Sequence, residues 1–189
     1  MDDQFIWQIW DKDKNKALEL FIVKYKTSLY KLCFNLTRNQ TNAEDLFQDT
    51  FIKAFRYMDK FDRTRDFEPW LFTIAINLYK DSYRKIKKYF AKFIDFKDDT
   101  EKNLLIENIP SDLYLPEQEM EKNEIKKLLQ KSINKLKDDY KIIIILFYYN
   151  NLKQKDIALI LNIPEGTVKS RLNTAKKILK KYMEEANYD

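Results

Sequence analysis

The sequence predicts an all-α protein made of two small helical domains joined by a flexible acidic linker. Glycine occurs once and proline four times in 189 residues, so the residues that punctuate turn-rich β folds are scarce. Apolar residues recur at helical spacing through most of the chain. The uniformly apolar run from Ile142 to Tyr149 begins with β-branched residues but has no partner strand elsewhere in the sequence. It is therefore predicted to be a buried helix.

Three amphipathic helices are predicted in the first half of the chain. The first spans about Lys14 to Thr37. A capping box over residues Thr41 to Glu44 predicts the start of the second helix, which ends near Met58 and turns Phe55 toward the core. The third is predicted to run from Pro69 to about Lys88, because proline is favoured at the first position of a helix.

Two of these helices carry a second face of mostly polar residues. On the second helix this face consists of Asp45, Gln48, Asp49 and Ile52. An apolar side chain among polar groups suits contact with a partner helix, and the alternative is a face that is simply solvated. The third helix aligns an aromatic ring, an amide and cations, namely Trp70, Thr73, Asn77, Lys80, Arg84 and Lys87. Such a line suits single-stranded nucleic acid, where bases stack and phosphates pair with cations. Spacing equally allows a tryptophan half buried in the core beside ordinary surface charges.

The segment from Lys153 to Lys181 has the pattern of a helix-turn-helix. Pro164 separates two short amphipathic patterns. In a helix-turn-helix, the second helix enters the major groove of DNA. Gly166 is the only glycine, which predicts a place where a side chain would collide with a neighbour. The outward face of the second helix would offer phosphate and base-edge contacts from Lys169, Ser170, Arg171, Asn173, Thr174, Lys176 and Lys177. A helical hairpin with a solvated basic face is the alternative.

Charge is distributed in blocks along the chain. Residues 76–92 hold six basic and one acidic residue, whereas residues 95–124 hold three basic and ten acidic ones. The acidic stretch loses periodicity, so it is predicted to be a linker that is flexible before assembly. The predicted domains are residues 1–90 and 117–189, with the linker at 91–116. A helix with Ile125 facing inward is predicted to open the second domain.

Composition excludes several function classes. The chain has no histidine and one cysteine, Cys33, so it can form neither an internal disulfide nor a histidine- or cysteine-based zinc site. A single glycine cannot make a glycine-rich phosphate loop, and the commonest general base is absent. The longest apolar run is too short to span a membrane. We therefore expect a cytoplasmic protein that is not an enzyme, without cofactor, metal, small-molecule substrate or membrane insertion.

The stretches described above resemble the extracytoplasmic-function (ECF) group of the sigma-70 family, the promoter-specificity subunits of bacterial RNA polymerase. Residues Ala43 to Phe51 are similar to region 2.2 of that group. Residues Phe67 to Asn77 are similar to region 2.3, and Asn77 to Asp81 with Arg84 to region 2.4. Residues Gly166 to Leu172 are similar to the centre of region 4.2. The resemblance covers most of the chain except its acidic middle.

The resemblance implies a role for each site. Region 2.2 would dock on the β′ clamp helices of the polymerase through Asp45, Gln48, Asp49 and Ile52. Regions 2.3 and 2.4 would open the −10 element and hold an unstacked base through Phe67, Trp70, Asn77, Lys80, Asp81 and Arg84. Region 4.2 would read the −35 element through Thr167, Lys169, Ser170, Arg171, Asn173 and Lys176. Thr174 departs from the family pattern, since many members carry a basic residue there.

Further partners follow from the same resemblance. They are the β flap of the polymerase, promoter DNA and an anti-sigma factor, which would hold the protein at the membrane. Two rival functions stay open at this level. A free-standing helix-turn-helix regulator would use residues 1–88 for ligand binding or dimerisation. A helical adaptor without a nucleic-acid role would leave no sequence-specific footprint on DNA.

Overall fold

A computed structural model describes residues 2–93 and 120–186, and within these ranges the regular structure is entirely helical. The first four helices form one module, and the last four form a second. Their bounds are α1 Asp3–Trp10, α2 Lys14–Thr37, α3 Gln40–Tyr57, α4 Phe67–Phe93, α5 Met120–Asn134, α6 Asp138–Ile144, α7 Gln154–Leu161 and α8 Glu165–Ala186. A short 3-10 helix, Met58–Lys60, follows α3, and a π-helical turn, Ile145–Tyr149, continues α6.

The first module confirms the predicted α2 at both ends, but the start of α3 differs from the prediction. The capping box at Thr41 is wrong: Asn39 is the N-cap, and its side chain accepts a hydrogen bond of 2.9 Å from the backbone N–H of Asn42. The shift arises because Arg38 ends α2 in a left-handed conformation, with φ at 55°, which leaves Asn39 extended at the start of α3. Phe55 is 37% exposed, so the predicted core face of α3 is narrower than expected.

Helix α1 adds a fourth helix to the three that the sequence predicted for this module. Its Trp7 and Trp10 are buried, and the Trp7 ring lies 4.9 Å from the ring of Phe21 and 6.0 Å from that of Phe67. Cys33 is fully buried in α2, and burial raises the pKa of its thiol to about 12. The helices of the first module therefore close over an aromatic core.

The second module confirms the predicted buried helix over residues 142–149, which forms α6 and the π-helical turn. Its residues 142–146 are buried at the centre of this module. Ile125 is 65% exposed, so its predicted inward orientation is wrong. Most of the predicted linker, residues 94–116, lies outside the described part of the chain.

The predicted helix-turn-helix is formed by α7 and α8 with residues 162–164 between them. Asn162 ends α7 in the left-handed region, with φ at 51°, which asparagine tolerates better than most residues. The backbone N–H of Ile163 then donates to the carbonyl of Ala158 at 3.1 Å, closing the helix end. The inward face of α8 is buried and consists of Val168, Leu172, Ala175 and Leu179.

The two modules are in contact along two seams, and their buried apolar residues form one continuous core. At the first seam, the side-chain amide of Asn150 donates to the carbonyl of Ser28 at 3.2 Å. The guanidinium of buried Arg38 lies 5.2 Å from the centre of the Tyr149 ring. The second seam joins α4 to α7. The structure thus places the helix-turn-helix beside the predicted nucleic-acid face of α4.

Candidate nucleic-acid and protein interfaces

The outer surface of α3 carries the four residues predicted to bind the polymerase. Asp45, Gln48, Asp49 and Ile52 are all exposed, and half of the Ile52 surface is accessible. The opposite side of the helix is anchored in the core by Ala43, Leu46, Thr50, Phe51 and Ala54. The core-facing residues therefore fix the orientation of the helix while the four others remain on its outer side. We call these four residues the α3 patch.

The α4 face consists of Trp70, Thr73, Asn77, Lys80, Asp81 and Arg84. The side chain of Lys87, which was also predicted for this face, lies outside the part of the structure that is described. Asn77, Asp81 and Arg84 are exposed, whereas Trp70 and Lys80 are half-buried. The guanidinium of Arg84 lies 3.4 Å from the Asp81 carboxylate, in a largely exposed pair that contributes little to stability. Such a pair can release its arginine to a phosphate at little cost. The face therefore offers one exposed amide and a loosely held cation.

Trp70 combines the two interpretations that the sequence left open. Its ring lies 4.8 Å from the ring of Phe61 and 5.3 Å from that of Phe67, yet it retains an accessible side. One side is thus held by the core, which gives the other a fixed position. A stationary aromatic surface loses little side-chain entropy when a base stacks on it.

Phe67, which the resemblance includes among the −10 residues, is buried in the core. It is 1% exposed, and its ring lies 4.4 Å from Phe21 and 5.2 Å from Tyr25. Helix α4 begins at Phe67, two residues before its predicted start at Pro69, and turns this first side chain inward to complete the aromatic core. In this packing Phe67 supports Trp70 and does not itself reach a base.

The second module covers part of the α4 face. The hydroxyl of Thr73 lies 3.4 Å from the carbonyl oxygen of Ile160 in α7, besides donating to the carbonyl of Pro69 within its own helix. The ammonium of Lys141 lies 5.9 Å from the centre of the Tyr79 ring. Burial raises the pKa of Tyr79 and lowers that of Lys141 to about 8. Cationic and aromatic groups of both modules therefore share one partly desolvated seam.

The outer face of α8 presents most of its predicted groups to solvent. Lys169, Ser170, Asn173 and Lys176 are exposed, while Thr167 is half-buried at the start of the helix. Thr174 is exposed too, but its hydroxyl donates to the carbonyl of Ser170 at 3.0 Å. Lys177 is exposed as well, so the surface offers three ammonium groups, a hydroxyl and an amide for phosphates and base edges.

Gly166 does not lie in a crowded place, although its rarity in the sequence had suggested one. A Cβ atom added there would meet nothing within 4 Å, and its φ is not positive. The predicted collision is wrong for the protein by itself, because the glycine lies exposed in the first turn of α8. Within the described part of the chain, no neighbour requires a glycine at this position.

Arg171 is held by the protein itself, unlike its exposed neighbours on α8. Its guanidinium lies 3.3 Å from the carboxylate of Asp139 in α6, and about a third of the arginine side chain is exposed. The pair aims the guanidinium along the surface between α6 and α8. Arg171 can reach DNA only if it shares or leaves this carboxylate.

Sequence reasoning missed the loop that precedes α4 and the helix that holds it. Asp59 and Arg63 form hydrogen bonds with α1 and with the residues that follow it, which the sequence analysis had not assigned. The available signal was the pair Trp7 and Trp10, whose spacing of three predicts one helical face. The ion pair between Arg63 and Asp11 joins residues that are far apart in the chain, and a single sequence carries no comparable signal for it.

An all-helical protein with a helix-turn-helix and a second basic helical face belongs to the class of DNA-binding transcription proteins. Comparison with protein families makes this specific. The family model for Sigma-70 region 2 matches residues 21–89, and that for Sigma-70 region 4 matches residues 126–179. The chain is 38% identical to the ECF RNA polymerase sigma factor SigW of Bacillus subtilis over 160 residues, which cover 84% of each chain. It is 31% identical to SigM of the same organism, over 82% of this chain and 88% of the relative.

Solved structures share the fold. The sigma factor RpoE in complex with the anti-sigma factor NepR from Bartonella quintana superposes with a TM-score of 0.70 at 23% identity, covering 89% of this chain and 98% of that one. CnrH in complex with the cytosolic domain of CnrY gives a TM-score of 0.67 at 20% identity, covering 96% and 97%. The chain belongs to the ECF group of the sigma-70 family. It is a sigma factor, a subunit that directs RNA polymerase to promoters.

Proposed function

We propose that the two modules divide promoter recognition between them. Residues 1–90 bind core polymerase through the α3 patch and melt the −10 element with the α4 face. Residues 117–189 read the −35 element with α8 and contact the β flap. The observation that supports this division most strongly is the match of region 2 and region 4 models, in that order, to the two modules. Residues 91–116 act as the linker between them.

The α4 face supports strand opening by its combination of groups. Extruding a base costs a few kcal/mol of stacking, and stacking on an aromatic ring returns about 1–3 kcal/mol per base. Trp70 offers such a ring, and Asn77 can both donate to and accept from a base edge. Lys80 and Arg84 hold phosphates nearby. The free-energy cost of melting is thus offset by groups that already lie on one helix.

The proposal includes what the protein does not do. It supplies specificity to a polymerase, and it is not itself an enzyme. No described helix combines the length and apolar character needed to cross a bilayer. The protein acts in the cytoplasm, where its polymerase and promoters are. RpoE was solved with the anti-sigma factor NepR, which supports an anti-sigma factor as a regulator of this chain too.

Run-off transcription with core polymerase tests the function directly. Transcript starts mapped on genomic DNA should cluster downstream of one shared pair of promoter elements when the protein is added. Core polymerase alone and core with the protein lacking residues 117–189 are the controls. Transcription that does not depend on added protein would contradict the proposal, and so would unchanged start sites in the truncated protein.

A further inference from the structure

Helix α1, Asp11 and the first residue of α2 contact the segment between α3 and α4 through three polar pairs. The indole N–H of Trp10 donates to Asp59 Oδ1 at 3.1 Å, and the Lys14 ammonium donates to both oxygens of that carboxylate at 2.8 and 2.9 Å. Further along the loop, Arg63 makes a two-pronged contact with Asp11, with distances of 2.8 and 2.9 Å. A fork of this kind fixes orientation as well as distance. Both ends of residues 59–63 are therefore anchored to one small helix and its flank.

A stack of aromatic rings beneath these polar contacts connects α1 to α4. The Phe61 ring lies 5.5 Å from the ring of Trp7, nearly parallel to it at 16°, and 4.8 Å from the ring of Trp70. The Arg63 guanidinium lies 4.8 Å from the Trp7 ring. Phe61 is thus placed between a tryptophan of α1 and the tryptophan of the α4 face. A shift of α1 would reach Trp70 through a single intervening ring.

Stability does not explain the polar part of this arrangement. The Arg63 and Asp11 side chains are 40% and 59% exposed, and ion pairs at that exposure contribute little to folding. The hydrogen bond from Arg63 lowers the pKa of the Asp11 carboxyl below its ordinary value. What the pair does determine is the position of an otherwise exposed loop, residues 62–66, directly ahead of α4. Helix α1 itself precedes residue 21, where the match to the region 2 model begins.

We propose that α1 is a brace that positions the loop at residues 59–66 and Trp70 for promoter opening, with Arg63 and Trp7 as positioning residues. The proposal rests on the proposed function, because it assigns a purpose to the place of Trp70. Groups that are held before the strand arrives need not be ordered during melting, and misplacement of about 1 Å in a reacting site is known to cost on the order of 100-fold in rate. The brace acts through geometry and touches no base.

The test compares single changes with their charge-swapped combination in the full-length protein. Arg63→Gln and Asp11→Asn each remove the fork, whereas Asp11→Arg combined with Arg63→Asp rebuilds an ion pair of opposite direction. Lys24→Gln is the matched control: it breaks the 2.6 Å pair with Asp3 that joins α1 to α2 and leaves the loop untouched. Arg63→Lys, which keeps the charge and loses the fork, serves as a milder variant if a single change fails to fold.

The readouts are the rate of promoter opening, the affinity for core polymerase and the melting temperature of the free protein. We expect the single changes to slow opening on the order of tenfold, with unchanged affinity for core polymerase, and the swap to restore most of the rate. A template opened in advance should remove the difference. The Lys24→Gln variant should open promoters at the normal rate.

Three results would overturn the brace. Single changes that leave opening unaltered would show that the loop needs no support. A swap that stays as slow as Arg63→Gln would mean that Arg63 acts on DNA directly. Equal slowing by Lys24→Gln would reduce the effect to a general loosening of α1. These results are distinct from a failure of the proposed function, in which the unaltered protein itself would not open any promoter with core polymerase.

Discussion

The ion pair between Arg171 and Asp139 determines whether the Arg171 guanidinium is free to contact DNA. Because Asp139 holds its guanidinium, binding a base edge requires the arginine to exchange one acceptor for another. Arg171→Ala should weaken binding to the cognate promoter by about 1–3 kcal/mol if the arginine pairs with a guanine. Asp139→Asn should leave binding intact or strengthen it, since it frees the same guanidinium.

Binding titrations on a set of single-base promoter variants measure both effects. Loss of preference at one position in Arg171→Ala indicates a base contact, and a uniform loss indicates a phosphate contact. Equal weakening by Arg171→Ala and Asp139→Asn would contradict a DNA role, because it would show that the pair serves only to hold α6 against α8.

Asn77 permits a test of strand opening at a single residue. It is exposed on α4 and contributes nothing to the buried core, so Asn77→Ala should leave the fold and the closed complex near normal. We expect lower permanganate reactivity of unpaired thymines near the start site, because the amide no longer offsets the cost of extruding a base. A bubble opened in advance should restore activity. Ser82→Ala, an exposed change elsewhere on α4, is the control, and equal reactivity in the two variants would refute the assignment.

At the scale of the helix, α3 presents an apolar side chain where solvation alone would favour a polar one. Ile52→Glu and Asp49→Lys should each weaken affinity for core polymerase, the first because it places an unpaired charge in the interface. Val23→Glu is the matched control, since Val23 is 60% exposed on α2 and lies outside the α3 patch. Melting temperatures should be similar in all three. Equal affinity of Ile52→Glu and Val23→Glu for core polymerase in a titration would contradict the dock.

The helices were largely predictable because their apolar spacing is local information. The sequence placed α2 at Lys14–Thr37 and α8 after Pro164, as the structure has them. One error arose because two nearby residues could each cap the start of α3: the N-cap is Asn39, and the sequence had indicated Thr41. The burial of Phe67 was not predicted, because periodicity cannot tell which side of a first helical turn faces a core built from distant rings. The contacts of α1 with residues 59–63 join parts about fifty positions apart, and a single sequence carries no record of them.

At the scale of the whole molecule, the two modules contact each other in a way that covers part of the α4 face. Thr73 lies against the carbonyl of Ile160, so a nucleic-acid strand along this face would meet α7. We therefore expect the modules to separate when both promoter elements are read at once. A flexible linker, which stays a prediction, would let them do so while keeping each at high effective concentration near the other's site.

The seam between the modules should respond to pH through Lys141. Burial lowers the pKa of this lysine from 10.5 to about 8 in the closed arrangement, whereas separation would return it toward its ordinary value. Between about pH 8 and 10 the separated form thus binds more protons, so raising the pH favours closure, by at most about tenfold per pH unit. Below pH 8 both forms hold the proton, and burial of the ammonium opposes closure. Its charged neighbours are Asp138, whose pKa is raised by burial, and Arg38, and the pKa of the nearby Tyr79 is raised by burial as well.

Small-angle scattering of the free protein measures this closure. The radius of gyration should fall as the pH rises from 7.5 to about 9.5, because the neutral amine is buried at lower cost than the ammonium. Lys141→Met should remain compact and independent of pH, since it fills the seam without a charge. Lys137→Gln, a change at an exposed lysine of the same region, should retain the pH dependence. A radius that is constant across this range in the unaltered protein, or that varies equally in Lys141→Met, would show that Lys141 does not control the contact between the modules.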